Sequence, residues 1–278
     1  MSWLGRTRFK LRGLAVNQFL SYDSHAFLHA LRAMRIGDGD VLMVHSSLHA
    51  HSGFKDRPID MIGALKEAVG PRGLLVMPSM TYSDSSKAYL RRGMEMNVKR
   101  SASRMGLLTE VFRRGKDVHR SLSPTHPLLA WGERAKWFVA GHHETDTPFG
   151  AQSPFQRLLD VDGKILCIDA IAESVTFTHF LEDRISSKLP FSLYEPGTLS
   201  GKVIDADGKQ HSVPTRVLSD ESRQRRREAG LWEKARKLGV TQHRKVGNTH
   251  LMLFRCSELT ALVDDMYANR ESLFADHV

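Results

Sequence analysis

Gly37-Asp-Gly-Asp-Val-Leu-Met-Val-His-Ser-Ser-Leu48 is the stretch on which the fold turns. Gly37 to Asp40 carries alternating glycine and aspartate, the chemistry of a tight turn. Val41 to His45 follows as an apolar run too short for a buried helix and too continuous for a strand with one wet face. Such a run belongs inside a sheet covered on both sides, where parallel strands are found. Upstream, Phe27, Leu28, Leu31 and Met34 recur at helical spacing behind Asp23-Ser24, a plausible cap. Downstream, Ile59 to Val69 reads as a helix ended by Gly70-Pro71, and Leu74 to Met77 as a second buried strand halted by Pro78. Strand, helix and strand with short joints make a βαβ unit, hence a parallel pair with a right-handed crossover.

Further out, Met105 to Arg114 and Glu133 to Ala140 read as helices, and Lys164 to Ile168 as a third buried strand behind the turn Asp160-Val-Asp-Gly163. Glu173 to Ser187 reads as a helix. Thr198 to Val217 alternates about Asp205-Ala-Asp-Gly208, which predicts an antiparallel hairpin. Ser219-Asp-Glu opens a charged helix that closes near Gly239. Thr249 to Phe254 is a strand, and Ser257-Glu258 caps a last helix with Leu259, Leu262, Val263 and Met266 inward. The class is α/β: three layers, α/β/α, around a mixed and partly parallel central sheet with an added antiparallel hairpin. No linker composition divides residues 1–278, so one domain is expected.

Composition narrows the function classes. A chain of 278 residues with 41% hydrophobic and 26% charged residues can bury a full core without covalent staples. Its two cysteines, Cys167 and Cys256, sit in apolar runs, against a disulfide scaffold or a four-cysteine zinc site. No apolar stretch approaches the roughly 18 residues of a membrane span, and the basic opening MSWLGRTRFKLRGL lacks the apolar run of a leader. A cytoplasmic protein with no membrane partner is expected. Forty Lys and Arg against 31 Asp and Glu give a net charge of +9, which favours an anionic partner. Much of the excess lies between Arg223 and Lys245, interleaved with Glu228 and Glu233 and poor in aromatics. That pattern fits a solvated helix face better than a nucleic-acid site.

Three segments carry residues able to do chemistry. His45-Ser46-Ser47 ends the first core strand, where open α/β sheets bind ligands. Its hydroxyls suit a phosphate or an amide, or simply end a strand. Neither GxGxxG nor GxxxxGK[ST] occurs, which removes the main support for a nicotinamide or nucleoside triphosphate site. In Thr176-Phe-Thr-His-Phe-Leu-Glu-Asp183, His179 and Glu182 are three apart and share a helix face. A carboxylate there can fix the tautomer and raise the basicity of an imidazole, as a general base needs, but an isolated pair is also a common surface ion pair. As a metal site the segment is short of ligands. Arg120-Ser-Leu-Ser-Pro-Thr-His-Pro127, between predicted helices, could offer Arg120 to a phosphate or be structural. GxSxG is absent, and neither cysteine lies in a reactive setting.

Taken in order, these segments resemble the aminoglycoside 3-N-acetyltransferase family, antibiotic N-acetyltransferases unrelated to the GNAT fold. The resemblance runs from Gly37–Leu48 through Gly73-Leu-Leu-Val-Met-Pro-Ser-Met-Thr81 and Ser101-Ala-Ser-Arg-Met-Gly106. It continues through Arg120-Ser121 with His126-Pro127, Ser153-Pro154, Gly163-Lys-Ile-Leu166, Thr176 to Glu182 and Lys245-Val-Gly247. It implies acyl transfer from acetyl-CoA, without a metal, to the amine of a small molecule. The implied donor site is His45, Ser46, Ser47, Ser103, Arg104 and Met105, and the implied catalytic pair is His179 as base and Glu182 as its support. Tyr82, Asp169 and Glu173 are assigned to the acceptor, and backbone N–H groups near Ser46-Ser47 to the charge developing on the thioester oxygen. Two departures bear on the acceptor: Asp169 stands where the family often has glycine, and the stretch from Arg120 to His126 is longer than the usual signature. The acceptor expected is an amino sugar or aminoglycoside, a biosynthetic amino sugar being favoured over an antibiotic, with a hydroxyl acceptor or a silent CoA-binding protein as alternatives. No nucleic-acid partner is expected, and a homodimer is expected only from the habits of enzymes.

Overall fold

The structure is a computed structural model that describes residues 13–16, 18–49 and 51–275. The basic opening of the chain, residues 1–12, lies outside them. The strands are β1 (Val41–Ser46), β2 (Leu74–Pro78), β3 (Glu95–Asn97), β4 (His119–Arg120), β5 (Leu128–Trp131), β6 (Lys164–Ile168), β7 (Leu199–Ile204), β8 (Gln210–Thr215), β9 (Gln242–Val246) and β10 (Thr249–Arg255). The helices are α1 (Ser24–Ala33), α2 (Pro58–Val69), α3 (Ser86–Arg91), α4 (Leu107–Arg113), α5 (Ala135–Val139), α6 (Pro154–Asp160), α7 (Phe177–Arg184), α8 (Asp220–Arg225), α9 (Ala229–Lys237) and α10 (Cys256–Ala268).

The central sheet runs β4-β5-β2-β1-β6-β10-β9. β1 pairs in parallel with both β2 and β6, and the outer pairs are antiparallel. The apolar runs are continuous because both faces are covered. Val41, Met43, Val76, Ile165 and Cys167 face a core built with α5, α6, α7, α9 and α10. Leu42, Val44, Leu75, Leu166 and Ile168 face the core under α1, α2 and α4. This is the expected three-layer arrangement. β7 and β8 form the expected hairpin about residues 205–209, and β3 joins β7 in parallel to make a separate three-stranded sheet.

Several elements differ from expectation, each for a local reason. The helix expected over Glu173 to Ser187 is cut to α7. A 3-10 turn precedes it at Ala172–Ser174, closed by the Ser174 hydroxyl donating to the Ile171 carbonyl, and Val175 then turns extended and is buried. The charged helix expected from Ser219 to Gly239 is two helices broken at Arg226, which turns inward. The segment around Arg120 to Pro127 joins strands β4 and β5 rather than helices. The last helix starts at Cys256, just ahead of the expected Ser257-Glu258 cap. β9, Gln-His-Arg-Lys-Val, is exposed at four of its five positions and offers no apolar pattern to read. Both cysteines are free and buried. No helix of the described residues is long and apolar enough to cross a membrane.

Candidate active site

Strand order prepares a crevice. The chain leaves β1 toward β2 on one side, while β6 lies on the other, so the connections beyond their carboxyl ends diverge between β1 and β6. A cleft of about 510 Å³ opens there, lined by His45, Ser46 and Ser47 after β1, Arg104 and Met105 from the loop before α4, and Asp169 after β6. Five of the six residues expected at the donor site thus meet in one cleft. The sixth, Ser103, does not line it. Its N–H donates to Glu110 Oε2 at 2.8 Å and its hydroxyl accepts from the Met105 N–H at 3.2 Å, so it shapes the loop from behind.

His45 is buried at the cleft floor with no partner for Nε2, and burial pushes its pKa down to about 4, leaving a neutral ring at neutral pH. The Ser47 N–H donates to the Ile168 carbonyl at 2.9 Å. It is spent on the sheet and cannot serve as the donor expected for the thioester oxygen. Asp169 takes φ 52°, the left-handed region that favours glycine. Its short carboxylate makes the conformation tenable, accepting from the His250 N–H at 2.8 Å, with His49 Nε2 at 3.5 Å. An aspartate here is therefore conformationally apt, and its carboxylate stands with the donor-site residues in the same cleft.

Ser174 lines the cleft and α7 begins three residues beyond it, while His179 and Glu182 are not among the lining residues. His179 Nδ1 lies 2.9 Å from Glu182 Oε2. Because a carboxylate only accepts, Nδ1 carries the hydrogen, and in the neutral ring Nε2 is then the bare nitrogen. Glu182 is fully buried, whereas 22% of the His179 side chain is exposed, so this is not the surface ion pair that the spacing also allowed. Burial raises the Glu182 pKa, but His179 and the Arg226 guanidinium together outweigh it and hold the carboxyl below its usual value. Arg226 Nε and Nη2 donate to the two Glu182 oxygens at 2.6 and 2.7 Å, and Nε is 3.3 Å from Glu228 Oε1. The ligand-type atoms of His179, Glu182 and Glu228 lie within 4.8 Å of one another, and the positive charge they share is the guanidinium.

The segment from Arg120 to Pro127 does not line the cleft but packs against His179 through His126. Arg120 donates to the main-chain carbonyls of Ser101 and Ser79, so its role is to clamp loops and not to face the cleft. The Ser121 hydroxyl meets His142 Nδ1 at 2.7 Å, and the Ser123 hydroxyl accepts from the His126 N–H at 3.1 Å. His126 is thereby held with its ring centre 6.1 Å from that of His179, and Phe149 lies 6.0 Å from the same ring. Burial, then the charges of His179, His142 and Arg226, push the His126 pKa well below its usual value, so a neutral ring faces the pair.

The expected acceptor residues do not come together. Tyr82 stacks on Tyr89 at 5.0 Å in a small cluster with Leu90 and Val217, away from the cleft lining. Glu173 is exposed on the 3-10 turn and does not line the cleft. Glu182 is saturated by His179 and Arg226. Asp183 is bonded by the Tyr194 hydroxyl and raised by burial. Arg226, Glu228 and Phe149 were not among the residues singled out for the site from sequence, whereas His126 belongs to the third candidate segment, with no role assigned to it. The one signal for Arg226 is its place in a basic run with acidic interruptions, inside the helix expected from Ser219 to Gly239.

A family model described as aminoglycoside 3-N-acetyltransferase matches residues 43–268. The chain belongs to the aminoglycoside 3-N-acetyltransferase family. Aminoglycoside N(3)-acetyltransferase VII of Streptomyces paromomycinus is 30% identical over 165 residues, 55% of this chain and 57% of that relative. The match thus spans little more than half the length of that family member. The SPbeta prophage-derived aminoglycoside N(3')-acetyltransferase-like protein YokD of Bacillus subtilis is 26% identical over 258 residues, 87% of this chain and 91% of its own. Among solved structures, AAC-IIIb in binary complex with CoASH has a TM-score of 0.71 at 21% identity, covering 92% of this chain and 99% of that one. AAC-VIa bound to sisomicin has a TM-score of 0.71 at 23% identity, covering 91% and 99%. At these identities the likeness to solved structures is one of fold, and the aminoglycoside 3-N-acetyltransferase fold is the one described above.

Proposed function

We propose that this chain transfers the acetyl group of acetyl-CoA directly to the amino group of an amino sugar or aminoglycoside, with His179 as general base. The observation that carries it is the His179–Glu182 pair: an imidazole with its Nδ1 hydrogen committed to a fully buried carboxylate and its Nε2 bare. An amine protonated near neutral pH is no nucleophile until it sheds a proton. That first proton goes to solvent; Nε2 accepts a second as the freed amine nitrogen attacks the thioester carbonyl, the N–C bond forms, the C–S bond breaks, and the departing CoA sulfur takes that second proton from the imidazolium. Glu182 stabilises the imidazolium between those two events. The products are an amide and CoA thiol, with no acyl-enzyme between. Both cysteines suit that course, since each is buried and the Cys167 thiol is pushed up to about 12.

Acetyl-CoA is assigned to the cleft of His45, Ser46, Ser47, Arg104, Met105 and Asp169, whose volume suits part of such a ligand. Exposed Arg104 supplies a cation for a phosphate there. The capture of CoASH by AAC-IIIb and of sisomicin by AAC-VIa supports the two substrate classes. The Asp169 and Asp183 carboxylates are both engaged by protein groups, so they give little support to a highly cationic antibiotic over a simpler amino sugar. A thiol-release assay with acetyl-CoA across aminoglycosides, free amino sugars, nucleotide-linked amino sugars and their hydroxyl analogues tests the assignment. Release with an amine and not with its hydroxyl analogue is expected. Release with the hydroxyl analogues alone, or bound CoA with no release for any acceptor, contradicts it.

A further inference from the structure

The base pair has a third and a fourth member. Arg226 sits where the chain passes from α8 to α9, and the end of the chain pins it there. The Arg227 N–H donates to the Leu273 carbonyl at 2.7 Å, the Ala275 N–H to the Arg225 carbonyl at 2.8 Å, and Arg226 bridges to Phe274. With its backbone fixed, the guanidinium grips both oxygens of Glu182, and Oε2 receives Arg226 Nη2 and His179 Nδ1 together. Two-point contact of this kind fixes the plane of a carboxylate as well as its place. Arg226 also reaches a second carboxylate, Glu228 Oε1, which is buried beside Trp232. One guanidinium thus serves two buried carboxylates, which is one negative charge more than it can balance.

We propose that Arg226 and Glu228 are positioning residues for the base: Arg226 aims Glu182 at His179, and Glu228 supplies the charge that is balanced only when His179 has taken the proton. This requires that His179 be the base proposed above. With both carboxylates ionised and the ring neutral, the four groups sum to −1; once Nε2 accepts the amine's proton they sum to zero. In a dry site a net charge of that sign favours arrival of the proton. The other groups facing the cluster do not alter the count. His126 is kept neutral by burial, and the phenol of Tyr267, from α10, is raised by burial, with a smaller push from Glu182. Burial, then Glu182, raises the Glu228 pKa, so Glu228 withdraws its help as pH falls. A merely structural Arg226–Glu182 pair has no use for the surplus carboxylate.

The test compares wild type with Glu228→Gln and Arg226→Lys, using His179→Ala as control, by the pH profile of kcat/KM for amine acetylation and by the pH titration of the His179 ring followed by NMR. Removing the Glu228 charge is expected to move the acidic limb and the ring titration to lower pH by about one unit, the smaller end of what a charge at this range does. Arg226→Lys keeps the charge but loses the two-point grip, so kcat is expected to fall about tenfold to a hundredfold with KM for acetyl-CoA unchanged and the limb in place. An unmoved ring titration in folded Glu228→Gln overturns the proposal even if the variant is inactive, and so does Arg226→Lys with wild-type kcat. If His179→Ala keeps its turnover, the assignment of the base itself fails. A dead His179→Ala beside an unmoved Glu228→Gln profile overturns this proposal while leaving His179 as the base.

Discussion

Glu182 shows how much a single buried charge can organise. Its carboxyl is fully buried yet held ionised by the ring of His179 and the guanidinium of Arg226, so its worth to the fold depends on both. Glu182→Ala strands Arg226 without its main counter-charge. Such broken pairs cost about 3 to 5 kcal/mol, which urea unfolding will show as a lower midpoint with an unchanged slope. Glu182→Gln, which keeps the shape, is expected to lose less; equal stability of all three proteins would contradict the burial argument. Because the folded carboxyl lies below its unfolded value, this stability is present above the unfolded pKa and lost as pH falls through the folded one. At this scale the sequence was half legible. His179 and Glu182 announce themselves because three residues of helix put them on one face. Arg226 is 44 residues from Glu182 and meets it only through the packing of two core-facing segments, which no local pattern encodes.

Elements were legible where burial leaves a periodic trace. β1, β2 and β6 are covered on both faces and read as unbroken apolar runs, and the hairpin of β7 and β8 alternates about a turn sequence. β9 leaves four of its five side chains exposed, so nothing in its composition marks it. The break between α8 and α9 was hidden for the opposite reason: a basic residue in a basic run gives no hint that it turns toward Glu182. The end of β6 carries a test of element-level design. Asp169 sits at φ 52°, where a residue with a Cβ costs about 1 to 2 kcal/mol unless its side chain bonds locally. Asp169→Ala is expected to lower the thermal midpoint more than Asp169→Asn, which can keep the bond to the His250 N–H. If alanine is tolerated as well as asparagine, that bond does not hold the turn.

Over the whole molecule, three histidines buried without charge make the fold sensitive to mild acid. His45 and His142 are each pushed down to about 4, and His126 well below its usual value, in every case by burial first. The unfolded chain takes up these protons near pH 6.5 while the folded one refuses them. Stability therefore falls as pH drops from roughly 6.5 toward 4, by up to about 1.4 kcal/mol per pH unit for each ring. Urea midpoints at roughly pH 7 and pH 5 will show it, and equal midpoints would mean that the rings are not held neutral. The net charge of +9 has a more modest meaning at this scale. Many surface cations face carboxylates, as in Arg57–Asp60, Arg92–Asp84 and Lys237–Glu233, so the excess is suited to steering the proposed anionic donor more than to building a binding face. The central claim is that His179 takes the proton of the acceptor amine. The most direct measurement is the turnover of folded His179→Ala with acetyl-CoA and the best amine, taken together with its affinity for CoA. The predicted result is a loss of about 10² to 10⁴ in turnover with CoA binding retained. Wild-type turnover in the folded variant would contradict it.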